Sequence, residues 1–147
     1  MVVMPTNEIH IESLAALPAA AAQLRSQLAN HQIVAFEGEM GAGKTTLIKA
    51  LCASLGVPES EVSSPTFSLV NEYRDARNQP IYHFDFYRLD EPSEAVAMGA
   101  LEYFDSGYLC LLEWPSRVEA LLPPHYLLVT LFVTGPESRV LQLKIQN

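Results

Sequence analysis

The chain has 147 residues and a formal net charge of −8, nine Lys and Arg facing seventeen Asp and Glu, with 49% hydrophobic and 18% charged residues. This apolar content excludes a disordered chain, and the length suits one domain, residues 1–147, with its own core. No apolar run approaches the ~20 residues of a membrane span, residues 1–6 carry no basic stretch ahead of a long apolar one, and the acidic balance argues against gripping nucleic acid by its phosphates, so a cytoplasmic protein with neither membrane nor strong nucleic-acid contact is expected.

Residues 8–12 alternate weakly and read as a short strand. Leu17, Ala21, Leu24 and Leu28 recur at helical spacing, which predicts a helix to residue 30. Pro18 fits its first turn, where a missing N–H costs nothing, and Ser13 is the cap of an alternative, earlier start. Residues 33–37 form an apolar strand, 38–43 a glycine-rich turn, and 45–55 a helix with Leu47, Leu51 and Leu55 on one face, ended by Gly56 and Pro58. Residues 67–73 read as a strand with Phe67, Leu69, Asn71 and Tyr73 on one face, followed by a polar turn at 74–79. In the next strand, 81–87, Tyr82, Phe84 and Phe86 share one face and His83, Asp85 and Tyr87 the other; the two strands predict an antiparallel hairpin. A short helix at 91–98 has Ser93 as its cap. Residues 108–112 are a continuous apolar strand, the kind buried on both faces of a parallel sheet, ending at Glu113-Trp114-Pro115. A short helix at 117–122 and a closing hairpin, 126–134 with 139–145 around a Gly-Pro turn, complete an α/β domain with a mixed sheet.

Cys52 and Cys110 stand alone, without zinc spacing, and read as reduced core thiols. His10, His31, His83 and His125 are scattered and support no metal site.

One motif dominates: Gly38-Glu39-Met40-Gly41-Ala42-Gly43-Lys44-Thr45, which fits the P-loop (Walker A) pattern of Gly, four residues, Gly, Lys, then Ser or Thr. Chance produces that pattern in roughly half a percent of chains this long, and an apolar strand before it with an amphipathic helix after it supplies the required context. Glycines let the backbone wrap a triphosphate and turn successive N–H groups inward. The following helix adds its free N–H groups and the positive end of its dipole. Lys44 is placed to reach the β- and γ-phosphates, Thr45 to ligate Mg²⁺, and Thr46 to bond the α-phosphate. A strand–helix turn without a ligand has no need of Lys and Thr at those positions.

Mg²⁺ also calls for a carboxylate at the end of a neighbouring strand. Asp85, late in its strand, and Glu113, directly after another, are the candidates: one for the metal, the other to position the attacking water. No Asn is followed by Lys and no Asp-x-x-Gly follows the loop, so the GTPase motifs are missing and ATP is expected. A small-molecule kinase is an alternative, but the six Arg are spread thinly; Arg74 and Arg77 lie close together in a turn that reads as solvated. A nucleotide-dependent binding switch with little hydrolysis is another. Ser63-Ser64-Pro65-Thr66 lies where such a switch would, with Thr66 able to sense phosphate or metal.

The blocks GEMGAGKTTL, SSPTFSLVNEY, YHFDFYRL and LLEWP, in this order, resemble the TsaE (YjeE) family, P-loop ATPases of the threonylcarbamoyladenosine modification of tRNA. The resemblance runs from about residue 33 to 124 and weakens at both ends. The family more often has Asp-Leu where Glu39-Met40 stand here, both conservative changes. The resemblance implies a P-loop NTPase-like three-layer sandwich with antiparallel additions, with ATP and Mg²⁺ as ligands. It implies a weak ATPase that acts on TsaD and TsaB proteins and resets their complex between turnovers. It further implies that Lys44 and Thr45 serve phosphate and Mg²⁺, that Thr66 belongs to a switch-like loop, that Asp85 and Glu113 are an acidic pair at metal and water, and that Trp114 lies next to the site. Arg88 is the candidate arginine finger in cis, and Ser13 and the 136–139 turn are the residues expected near the adenine.

Overall fold

In a computed structural model, residues 7–28, 31–65 and 69–146 are described. Seven strands form one mixed sheet: β1 (Asn7–Ile11), β2 (Ile33–Glu37), β3 (Val70–Arg74), β4 (Pro80–Asp85), β5 (Leu109–Glu113), β6 (Tyr126–Val133) and β7 (Arg139–Gln146), in the order β1-β7-β6-β2-β5-β4-β3. The four central strands, β6, β2, β5 and β4, run parallel. The antiparallel β6–β7 and β3–β4 hairpins extend both sides, and β1 closes one edge against β7. Burial explains the middle: Ile33, Val34, Ala35 and Phe36 of β2 are buried on both faces, as the near-continuous apolar run demands.

Helices α1 (Leu17–Ser26) and α2 (Lys44–Ser54) cover one face. Their Leu24, Leu47, Ile48 and Leu51 join Val34, Phe36 and Leu111 in one apolar cluster. Helices α3 (Pro92–Ala97) and α4 (Ala100–Phe104), with the 3-10 turns at Pro115–Leu121, cover the other. Ala95, Phe104 and Val118 join Ile33, Phe84, Phe86 and Leu112 there. Both cysteines are free and buried in these clusters, and burial pushes each thiol up to about 12.

Several predicted boundaries shift. The first helix stops at Ser26 instead of 30, and Ser13 makes no side-chain cap bond, while Pro18 does occupy the first turn. The strand expected at 67–73 is described from Val70, and its residues 67 and 68 lie outside the described part. β4 ends at Asp85, two residues early. The helix expected at 91–98 has Glu91, not Ser93, at its cap, and Gly99 (φ +91°) restarts the chain as α4, which periodicity missed. β5 runs one residue later than expected and includes Glu113. The 117–122 helix is a pair of 3-10 turns beginning at Pro115.

Candidate functional site

The loop 38–43 leaves the carboxyl end of β2 and enters α2. Gly38 packs so closely on β6 that a Cβ there would lie 3.2 Å from the Leu131 carbonyl oxygen. Gly41 (φ +81°) and Gly43 (φ +102°) take left-handed conformations that suit glycine. Gly43 sits at the amino end of α2, whose first-turn N–H groups have no partner inside the helix and open onto the loop. The Glu39 and Met40 side chains are exposed, so the loop offers its backbone there; Ala42 is buried and Thr46 exposed.

Lys44 is nearly buried, its Nζ donating to the Gly38 carbonyl and, at 3.1 Å, to that of Glu39. The same Nζ sits 4.0 Å from the centre of the Trp114 ring. Burial lowers the ammonium's pKa, and Glu113, Glu37, Asp85 and Glu39 counteract that in decreasing order. Trp114 reaches this place through a left-handed backbone (φ +58°), uncommon for a bulky residue. Its ring packs on Tyr87 at 4.9 Å, and Arg117 lies over the other ring of that pair.

Thr45 Oγ1 donates to Glu113, 3.0 Å from Oε1 and 3.1 Å from Oε2, and lies 3.0 Å from Ser64 Oγ. Glu113 is 3% exposed, so its carboxylate is withdrawn from solvent although it ends a strand. Asp85 lies directly opposite it in the β4–β5 register and is half-buried. Burial raises the Asp85 carboxyl above its ordinary value; the Tyr87 N–H it accepts lowers it, Glu113 raises it further, and His83 and Lys44 oppose. Among the sequence-predicted residues, Lys44, Thr45, Thr46, Asp85, Glu113 and Trp114 thus line one cavity of about 360 Å³ with Gly41, Gly43 and Ser64. Thr66 lies outside the described residues, and Arg88 is exposed and does not line the cavity.

Two residues escaped the sequence reading. His83 Nε2 is 2.7 Å from Glu113 Oε2, and His83 Nδ1 is 2.9 Å from the Tyr73 hydroxyl. The available signal was the period-two pattern that put His83 on the face of Asp85. A second cavity of about 260 Å³ adjoins the loop, lined by Ile11, Leu14, Leu17, Leu131, Pro136 and Arg139 among others. The 136–139 turn therefore lies beside the loop, whereas Ser13 does not line this space. Arg139 Nε donates to the Ala42 carbonyl at 2.7 Å and fixes the turn to the loop.

The donor chemistry fits a hard cation: hydroxyls of Thr45 and Ser64 and carboxylates of Asp85 and Glu113, all oxygen. Among the described residues no group of three or more His, Cys, Asp and Glu could hold a metal alone, so a cation here would share its ligands with phosphate or water.

Fold and loop define an α/β protein with a P-loop at the carboxyl end of a central parallel strand. The chain belongs to the TsaE family: the pattern of the family described as threonylcarbamoyl adenosine biosynthesis protein TsaE matches residues 11–141. It is 41% identical over 99 residues to the tRNA threonylcarbamoyladenosine biosynthesis protein TsaE of Haemophilus influenzae, covering 67% of this chain and 61% of that protein. Identity to the Bacillus subtilis protein of the same description is 37% over 107 residues, covering 73% and 65%. For the Rickettsia felis protein it is 34% over 134 residues, covering 91% and 74%. The chain thus spans less than two thirds of the length of the first two relatives. The crystal structure of Bacillus subtilis YdiB matches with a TM-score of 0.75 and 25% identity, covering 100% of this chain and 90% of that one.

Proposed function

We propose that this chain binds ATP with Mg²⁺ and hydrolyses it in the service of threonylcarbamoyladenosine modification of tRNA, acting on a TsaD–TsaB complex to reset it between turnovers. Family membership supports the pathway. Helices on both faces of the sheet support a P-loop NTPase-like three-layer sandwich, with residues 1–147 as one ATPase domain. The observation that carries the chemistry is the convergence of Thr45, Asp85 and Glu113 beside the amino end of α2.

Loop backbone from Gly38 to Gly43, including Glu39, Met40, Gly41 and Ala42, cradles the phosphates, and Lys44 exchanges its two carbonyl partners for phosphate oxygens. Thr46 bonds the α-phosphate, and Thr66 senses the γ-phosphate. Thr45 and Glu113, already bonded to each other, hold Mg²⁺. Asp85, across the register, orients the attacking water, and its raised pKa suits a proton acceptor. Bound there, Mg²⁺ neutralises phosphate charge. The adjoining apolar cavity takes the adenine.

Among the described residues lining the phosphate cavity there is no arginine. Hydrolysis alone is therefore slow, and a charge supplied by the partners accelerates it. Hydrolysis measured with and without TsaD–TsaB tests this: partners raise the rate by about 10³-fold or more, and Lys44→Ala or Glu113→Ala abolishes the gain. Fast partner-free turnover, or phosphate transfer to a small acceptor, overturns the reading. If Asp85→Ala and Glu113→Ala both keep stimulated hydrolysis, the acidic-pair assignment is wrong.

A further inference from the structure

Beyond the residues that meet ATP and metal, a closed ring of hydrogen bonds runs through the sheet beneath them. Thr45 Oγ1 bonds Glu113; Glu113 Oε2 bonds His83 Nε2; His83 Nδ1 bonds the Tyr73 hydroxyl. That hydroxyl donates to the Ser63 carbonyl at 2.9 Å and accepts from the Ser63 N–H at 3.3 Å. Ser64 Oγ, one residue on, returns to Thr45. Asn71 Nδ2 donates to the Ser63 carbonyl at 2.9 Å, so that oxygen keeps a partner even when Tyr73 turns its one proton to His83.

Packing alone does not call for this. His83 is fully buried, faces Leu111 in register, and borders an apolar cluster, so a hydrocarbon would suit the position. Replacing a buried polar pair by apolar groups is often neutral for stability. The polar set is instead spent on one carboxylate oxygen, the one shared with Thr45. From this geometry we infer that His83 and Tyr73 are positioning residues: they fix the rotamer of Glu113 and tie it to the segment Ser63–Ser64, so that this segment and the carboxylate take up their active arrangement together. A ligand-orienting bond of this kind is worth about 10–100-fold in metal affinity or activity.

This rests on the assignment of Glu113 to the metal, and the experiment separates the two. In the full chain with its partner pair, Tyr73→Phe keeps the ring and removes only the hydroxyl. It lowers kcat and raises the Mg²⁺ concentration for half-maximal binding of a fluorescent ATP analogue, each about 10-fold, with KM for ATP within about two-fold of the original. His83→Gln, which retains a donor near Nε2, keeps more activity than His83→Leu. In a Glu113→Gln background, Tyr73→Phe adds no further shift in the Mg²⁺ midpoint, because its effect passes through that carboxylate. A Tyr73→Phe variant equal to the parent in kcat and Mg²⁺ midpoint overturns the inference. So does a shift that persists in Glu113→Gln, which would mark a general packing role. If the unmodified chain shows no Mg²⁺-dependent binding or hydrolysis, the metal assignment fails and this inference with it.

Discussion

The role proposed for Asp85 sets stability against chemistry at a single residue. Its carboxyl is half-buried against Glu113, and burial raises its pKa above the ordinary 3.8. The folded state therefore holds the proton longer than the unfolded chain as pH rises. Stability falls across the window from 3.8 up to the folded value, and the penalty persists above it. Asp85→Asn removes the charge and keeps an acceptor for the Tyr87 N–H. At pH 7 the variant melts higher by on the order of 1–3 °C, and the gap closes as pH is lowered toward the window's floor. Its partner-stimulated hydrolysis falls by about 10²-fold or more. Thermal unfolding at several pH values, paired with a phosphate-release assay, checks both; a variant less stable at pH 7 contradicts the charge argument.

At the scale of elements, the end of α2 is held by a close approach that only glycine permits. Gly56 has φ +97°, and a Cβ there would lie 2.6 Å from Ala76 Cβ and 2.9 Å from Ala76 N. The Ala76 N–H in turn donates to the Leu55 carbonyl at 3.0 Å, so the β3–β4 turn caps the phosphate-loop helix. Gly107 has φ +85° with nothing within 4 Å of a built Cβ. Gly107→Ala therefore carries only backbone strain, about 1–2 kcal/mol. Gly56→Ala adds a clash and loses more, which urea unfolding of the two variants separates. The glycine-and-proline stop after α2 was legible in sequence; the contact that requires it was not, because Ala76 lies on another element. The same distinction holds elsewhere. The P-loop and its two flanking elements were readable because periodicity and motif coincide over contiguous residues. Asp85 and Glu113 were readable from strand ends. His83 and Tyr73 were not, because the bond from His83 to Glu113, 30 positions apart, and that from Tyr73 to His83, 10 apart, exist only once β3, β4 and β5 pair. Helix α4 escaped for a simpler reason: Gly99, which follows one helix, also starts the next.

For the whole molecule, the net charge of −8 becomes more informative once the cations are located. Of the nine Lys and Arg, Lys44 is buried in the loop, Arg139 is bonded to three backbone carbonyls, Arg25 to the Ser54 carbonyl, and Arg74 to Glu72. Fewer cations remain to meet phosphate than the composition suggests, which supports the proposal that a role in tRNA modification is exercised through protein partners. An acidic surface suits docking on a basic face, and a basic face of a tRNA-modifying complex is also where tRNA phosphates bind. Two results follow. Affinity for TsaD–TsaB falls as salt is raised, since the Debye length shrinks from about 10 Å at 0.1 M to about 3 Å at 1 M. Excess tRNA weakens the same interaction, although the chain alone does not shift tRNA in a gel. Calorimetric titration in a salt series, repeated with added tRNA, reads both. A partner affinity unmoved by tRNA would place the acidic surface away from the tRNA path, and a chain that binds tRNA directly would contradict the charge distribution itself.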